Sequence, residues 1–398
     1  MHYTQREIFL NHIAQTSTAP VALEIIKAEG IYLTDINGKK YVDLISGISV
    51  SSLGHCHPKI IEAINRQAQL YSHLMVYGEY IQNPQTQYAK LITSLLPSNL
   101  NSVFFTNSGT EATEGALKLA KRVTGRSEII CFKNSYHGST QGSLSVMGNE
   151  EYKNSFRPLL PDIKMLEFNF IKAIDEITSQ TACVIIEPIQ GEAGVRKADK
   201  EFLTTLRKKC DEHCVLLIID EIQTGFGRTG SLFAFENYNV VPDILLLAKA
   251  MGGGLPVGAF IASQKLMSCF CSNPVLGNIN TFGGNAICVS AAQASLEIIL
   301  QDKLFLRAIT IEKIIANTLK HSLIKEVRCY GAMCAVEYGD AELNHKIISA
   351  CLQNGVITDF FLHCSTAMRI APPLIITDAE LLHSLKIILE VCDKLVND

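Results

Sequence analysis

Short apolar runs separated by amphipathic stretches of helical length fill the middle of this chain, and they constrain its fold more than any other feature. The runs are Val103–Thr106, Ile129–Phe132, Cys183–Glu187, Val215–Asp220, Ile244–Ala248 and Ala259–Ala262, with helical patterns at Thr110–Thr124 and Lys200–His213 between them. These runs are nearly continuous rather than alternating, so each strand should be covered on both faces. Strands of that kind, separated by helices, predict an α/β domain with a mostly parallel sheet. From about Ala286 the character changes to a long helical stretch through Ala292, Leu296 and Ile299, followed by alternating segments such as Met333–Glu337. That part reads as a smaller α+β domain. Near the start, Ile31–Asp43 with its Asn37-Gly38 turn reads as a hairpin that packs with the smaller domain. The expected organisation is therefore residues 1–45 as an N-terminal segment, 46–290 as the large domain and 291–398 as the small one.

Composition narrows the class. The 398 residues are 47% hydrophobic and 19% charged, enough apolar content for a large core, and the net charge of −4 offers no basic footprint for nucleic acid. No apolar run approaches a membrane span, and the first residues lack the uninterrupted apolar stretch of a secretory leader. A cytoplasmic protein is expected. Thirteen cysteines are present, several inside apolar runs, and Cys210/Cys214 and Cys269/Cys271 lack a second ligand pair at zinc spacing. They are read as reduced thiols, with no metal site.

Polar residues at the strand ends carry the chemistry. The strand through Ile219 ends in Asp220, and the run Ile244–Leu247 stops just before Lys249 and the cluster Gly252-Gly253-Gly254. Alone, the aspartate reads as a turn cap and the lysine as a solvated loop residue. Together they suit pyridoxal phosphate: the lysine forms a Schiff base, and the aspartate keeps the pyridine nitrogen protonated so that the ring acts as an electron sink. Asn107-Ser108-Gly109-Thr110-Glu111-Ala112 follows a strand and opens a helix, where small residues and the helix dipole favour a phosphate, although a plain capped helix looks similar. Tyr136-His137-Gly138 offers a ring that could stack on a planar cofactor or simply pack a loop. Glu187-Pro188-Ile189-Gln190-Gly191-Glu192 ends another strand with two carboxylates. Asn280–Asn285 is a second small-residue loop with a hydroxyl at Thr281. Arg369 precedes Pro372-Pro373 and has the fork that grips carboxylates, though a surface ion pair is the commoner use.

As an ordered set spanning nearly the whole chain, these blocks resemble the class-III aminotransferases of pyridoxal-phosphate fold type I, and among them the acetylornithine and ornithine aminotransferases. Gly30–Lys39, Gly47–Pro58, Asp220–Gly230 and Leu247–Gly258 belong to the same pattern. The resemblance implies a homodimer with shared active sites, acting on a small-molecule amino donor and a 2-oxo acid by a ping-pong mechanism. It implies that Lys249 carries the cofactor and moves the proton, that Asp220 pairs with the ring nitrogen and that Gln223 contacts the phenolic oxygen. Tyr136, beside His137, would stack on the ring. Ser108, Gly109 and Thr110 would cradle the phosphate, with Thr281 reaching in from the partner subunit. Arg369 would clamp the α-carboxylate of glutamate or 2-oxoglutarate, with Glu192 as its switchable partner.

Two departures bear on the amino substrate. Ornithine-type members carry His-Gly-Arg where this chain has His137-Gly138-Ser139, and Tyr-x-Pro where it has Thr18-Ala19-Pro20. Serine supplies no charged two-point clamp, which favours an amine whose far end is not an α-carboxylate, such as a diamine or an amino ketone. The competing readings are an aminomutase of the glutamate-semialdehyde type, a diaminopelargonate synthase, a decarboxylating relative, and a non-enzymatic cofactor-binding regulator or structural protein, which would need an added binding domain. The first two typically lack the glutamine found at Gln223.

Overall fold

The structure is a computed structural model that describes residues 4–76 and 78–397. Near its start the chain forms β1 (Ile25–Glu29), β2 (Tyr32–Asp35) and β3 (Lys40–Asp43), consecutive antiparallel strands. The Asn37-Gly38 turn joins β2 to β3, with Gly38 at φ 80°, a left-handed conformation that only glycine adopts without steric cost.

Seven strands form the central sheet: β4 (Ser102–Thr106), β5 (Glu128–Phe132), β6 (Ile163–Leu166), β7 (Thr181–Ile186), β10 (Leu216–Asp220), β11 (Ile244–Leu247) and β12 (Gly258–Ala262). Between β7 and β10 lies a two-stranded ribbon of β8 (Ile189–Gln190) and β9 (Arg196–Lys197). The sheet order is β4-β12-β11-β10-β7-β5-β6, and β12 runs against both its neighbours while β11, β10, β7, β5 and β6 are mutually parallel. Each apolar run of the sequence is one of these strands. The strand without such a run, β6, is one of the two sheet edges, and Lys164 within it pairs with Glu176 at 2.7 Å. An edge strand is half-solvated and needs no continuous apolar stretch.

Helix Gly109–Thr124 shows how closely the layers approach. Ser108 caps it by accepting from the Glu111 N–H, and Gly125 ends it at φ 68°. Its buried face includes Ala112, Ala116, Leu119 and Ala120. A Cβ on Gly115 would stand 2.3 Å from the Phe260 ring, so the helix lies against β12 at a distance only glycine permits.

After helices Ala286–Gln301 and Leu304–Thr318 come β13 (Glu326–Tyr330), β14 (Met333–Glu337), β15 (Val356–Ile357), β16 (Asp359–Phe361) and β17 (Cys364–Ile370). Four of them form the sheet β13-β14-β17-β16, while β15 pairs with β3 through Val356↔Val42. The early hairpin and the late part of the chain therefore share a sheet. Arg228, wholly buried, donates to Ser52 Oγ at 2.9 Å and to the carbonyls of Ala332 and Pro372, tying early, middle and late segments together. One expectation is corrected here. Cys329 and Cys334 form a disulfide across the β13–β14 hairpin, where the register sets them opposite each other with Cα atoms 4.1 Å apart, so not all thirteen cysteines are free thiols. Among the described residues, no helix is long and apolar enough to cross a membrane.

Candidate active site

Three parallel strands, β10, β7 and β11, end on one rim of the central sheet, and the loops leaving them build a cavity of about 670 Å³. Open parallel sheets place ligand sites at such carboxyl ends. The cavity brings together Ser108, Gly109, Thr110, Tyr136, His137, Glu192, Asp220, Gln223 and Lys249. Arg369 reaches it through Glu192. Thr281 is not part of its wall; the loop Asn280–Asn285 lies beside β4, where Asn280 Nδ2 donates to the Phe105 carbonyl at 3.3 Å.

Asp220 sits at the end of β10, 3% exposed. Its Oδ1 accepts from the Ile222 N–H at 2.9 Å and its Oδ2 lies 2.7 Å from His137 Nδ1. His137 is held in turn by Thr113 Oγ1, which donates to its carbonyl at 2.9 Å. Its Nε2 is buried with no hydrogen-bond partner among the described residues. The loop that carries His137 follows β5, and Gly138 lets it pass under the helix start: a Cβ there would meet Thr110 Oγ1 at 2.4 Å.

Lys249 follows β11 in a left-handed conformation at φ 49°, an arrangement that costs a non-glycine residue roughly 1–2 kcal/mol. Burial lowers the pKa of its ammonium, and the nearby carboxylates of Glu192, Asp220 and Glu187 offset that only in part. An amine in this setting is biased toward its neutral, nucleophilic form.

Glu187 directly follows β7; the sequence places it in a strand-end loop but assigns it no role. Its carboxyl accepts from the Tyr136 N–H at 3.0 Å and the Gly191 N–H at 3.1 Å, fastening the aromatic loop to the loop bearing Glu192. Burial pushes its pKa up to about 7. The signal in the sequence was the double carboxylate of Glu187 and Glu192; spacing alone does not say which of the two faces an arginine.

On the far side Glu192 Oε2 accepts from Arg369 Nη2 at 2.7 Å and from the Leu362 N–H at 3.1 Å. Burial acts to raise the pKa of Glu192, but Arg369, Lys249 and the Leu362 N–H outweigh it and hold it below the usual range. Gln223 Nε2 stands 3.5 Å from the other oxygen. The Arg369 guanidinium lies 4.6 Å from the centroid of the Phe361 ring, and its Nε and Nη1 are buried without partners among the described residues. A buried fork with two unused donors is poised for a second carboxylate.

Where the helix Gly109–Thr124 starts, Ser108, Gly109 and Thr110 line the cavity, and a Cβ on Gly109 would meet Ile222 at 2.8 Å. Thr110 Oγ1 is engaged by Thr140 and Ser143, each at 2.7 Å. Ser139, where a clamp arginine is lacking, pairs instead with the Tyr136 hydroxyl at 3.1 Å. Thr18 and Ala19 are exposed and do not line the cavity.

The family model "Aminotransferase class-III" matches residues 13–392. The chain is 39% identical over 373 residues to the acetylornithine aminotransferase of Methanopyrus kandleri, covering 93% of this chain and 94% of that one. It is 38% identical over 321 residues to a LysW-aminoadipate semialdehyde/glutamate semialdehyde transaminase of Sulfurisphaera tokodaii, covering 79% and 81%. Among solved structures, the ornithine aminotransferase of Toxoplasma gondii ME49 superposes with a TM-score of 0.91 at 29% identity, covering 100% of this chain and 96% of that one.

Proposed function

The chain belongs to the class-III aminotransferases, and from that premise we propose that it moves an amino group between an ω-amine or amino acid of the acetylornithine or ornithine kind and 2-oxoglutarate or glutamate, using pyridoxal 5′-phosphate. The observation that carries this reading is the buried Lys249, its ammonium destabilised by burial, in one cavity with the Asp220–His137 pair. The residues fit the cofactor on their own terms. The helix start at Ser108, Gly109 and Thr110 lines the cavity, where its first backbone N–H groups suit an anion. Buried Asp220 offers a carboxylate to a ring N–H. When bound, the cofactor supplies a carbonyl that accepts the amino group and a protonated ring that delocalises the electrons left behind by the departing proton.

The protein's own residues do the rest. His137 Nδ1, 2.7 Å from Asp220 Oδ2, fixes the orientation of the carboxylate. Lys249 Nζ, its ammonium form disfavoured by burial, takes and returns the substrate proton. Tyr136, its N–H held by the Glu187 carboxyl, would cover one face of the cofactor ring. Gln223, beside Glu192 in the same wall, would contact the phenolic oxygen of the bound cofactor. Glu192 neutralises Arg369 while a substrate without a matching carboxylate is bound. A dicarboxylate such as 2-oxoglutarate displaces Glu192 and takes the free Nε and Nη1 donors. A homodimer, in which Thr281 of one subunit completes the phosphate site of the other, belongs to the same proposal. So does the division into an N-terminal segment, a large domain of residues 46–290 and a small one of 291–398. Glutamate formation from 2-oxoglutarate across a panel of ω-amines and amino acids tests the reading. If the cofactor-loaded protein forms no glutamate with any donor, the proposal is wrong.

A further inference from the structure

The hairpin joining β16 to β17 turns through just two residues, Leu362 and His363, because Phe361 pairs with Cys364. This tip gathers contacts from three distant segments. The Leu362 N–H donates to Glu192 Oε2 at 3.1 Å, and the His363 N–H donates to the Glu192 carbonyl at 3.0 Å. The Leu362 carbonyl accepts from the Tyr152 hydroxyl at 3.0 Å. His363 Nδ1 lies 3.0 Å from the Asn134 carbonyl, two residues before Tyr136. A carbonyl oxygen only accepts, so Nδ1 carries the proton and the tautomer is fixed. The imidazole also packs against Tyr152 at 5.5 Å and Tyr136 at 6.4 Å between ring centroids.

We propose that His363 is a positioning residue: its Nδ1–H bond to Asn134 locks the hairpin tip, and the tip holds Glu192 over Arg369, setting how readily the arginine is released to a carboxylate. This deepens the proposed function and rests on its reading of Glu192 and Arg369. Of the groups that hold the Glu192 side chain, Arg369 is the one a dicarboxylate must win. The Leu362 N–H is the one the tip controls. Without the anchor at Asn134, the tip loses its only side-chain hydrogen bond to the aromatic loop among the described residues, and the closed arrangement weakens relative to the open one. The two substrates then respond in opposite senses. An amine with no carboxylate for Arg369 needs the closed arrangement and binds less well; a dicarboxylate needs the open one and does not.

Three variants test this. His363→Phe keeps the ring packing and removes the donor, and His363→Asn restores a donor near the same place. Arg369→Ala controls for the reading of the site. In His363→Phe the KM for the amine should rise about fivefold, the effect of one lost hydrogen bond, while the KM for 2-oxoglutarate holds or falls. Calorimetric titration with unreactive glutarate should show affinity equal to or tighter than wild type. His363→Asn should return both toward wild type. Equal shifts in both KM values, weaker glutarate binding, or a fall in kcat alone would overturn the proposal, provided Arg369→Ala raises the KM for 2-oxoglutarate. If Arg369→Ala leaves that KM unchanged, the reading of the site fails and the role of His363 fails with it.

Discussion

The two ends of the cavity are built differently. At the Asp220 end every group stands on or beside a strand terminus of the central sheet: Asp220 closes β10, Lys249 follows β11 and Glu187 follows β7, above a core in which Ile218, Ile219, Leu245 and Leu246 have no exposed surface. At the Arg369 end the parts come from different layers. Arg369 is on β17, Glu192 is on the loop between β8 and β9, and the Leu362–His363 tip spans the gap. The first end is pre-organised by packing that no single substrate alters. The second is held by hydrogen bonds and one ion pair, which a competing carboxylate can exchange. Chemistry common to both half-reactions belongs at the rigid end, and discrimination between substrates belongs where contacts can be traded.

The strongest way to break this contrast is Lys249→Ala. Both half-reactions should collapse, by on the order of 10²–10⁴-fold for the lost proton transfer alone, with no dependence on which donor is offered. Single-turnover measurements with glutamate and with an ω-amine check it. Retained turnover with either substrate would remove Lys249 from the centre of the rigid end.

Arg369→Lys should act on one substrate. Lysine keeps the charge but loses the fork, so the KM for 2-oxoglutarate should rise by ~2 kcal/mol of binding, about thirtyfold, while the half-reaction of an amine lacking that carboxylate changes little. Steady-state kinetics with each substrate varied in turn decide the matter. An equal loss for both would make the Arg369 end as rigid as the other.

A third expectation concerns pH and the buried carboxyls of the rigid end. Burial pushes Glu187 and Glu221 each up to about 7, above their ordinary value of 4.5. A raised folded-state pKa gives stability that is complete below the unfolded value and is lost as pH rises through the folded one. Stability should therefore fall between pH 5 and pH 8, by on the order of 1–3 kcal/mol per group. Glu221→Gln should flatten that fall, as followed by denaturant midpoints at the two ends of the range. An unchanged slope in the variant would remove Glu221 as a source.

The smallest effect sharpens the comparison at the cavity mouth. Ser139→Arg breaks the Ser139 pairing with the Tyr136 hydroxyl and adds a fixed guanidinium to the wall. It should improve kcat/KM for acetylornithine several-fold without altering the KM for 2-oxoglutarate. Efficient use of acetylornithine by the unaltered protein, at ~10⁴ M⁻¹s⁻¹ or more, would show that another group grips its carboxylate.

The sequence by itself determined the scaffold. Uninterrupted apolar runs can be satisfied only between two covering layers, so β5, β7, β10, β11 and β12 were legible within a residue or two. The polar residues that end such runs, Asp220 and Lys249, necessarily emerge together at the sheet's rim, because parallel strands carry their ends to the same side. Chain order could not show which residues meet across layers. Glu187 and Glu192 are alike in sequence, and only the fold gives one of them two backbone N–H groups and the other an arginine. His363 carried no pattern at all, since its partners Asn134 and Glu192 lie far from it along the chain. The disulfide between Cys329 and Cys334 depended on a hairpin register. Local pattern reports burial, which each residue experiences on its own; pairing between distant segments depends on closing long loops, and only the folded chain fixes which of those closures occur.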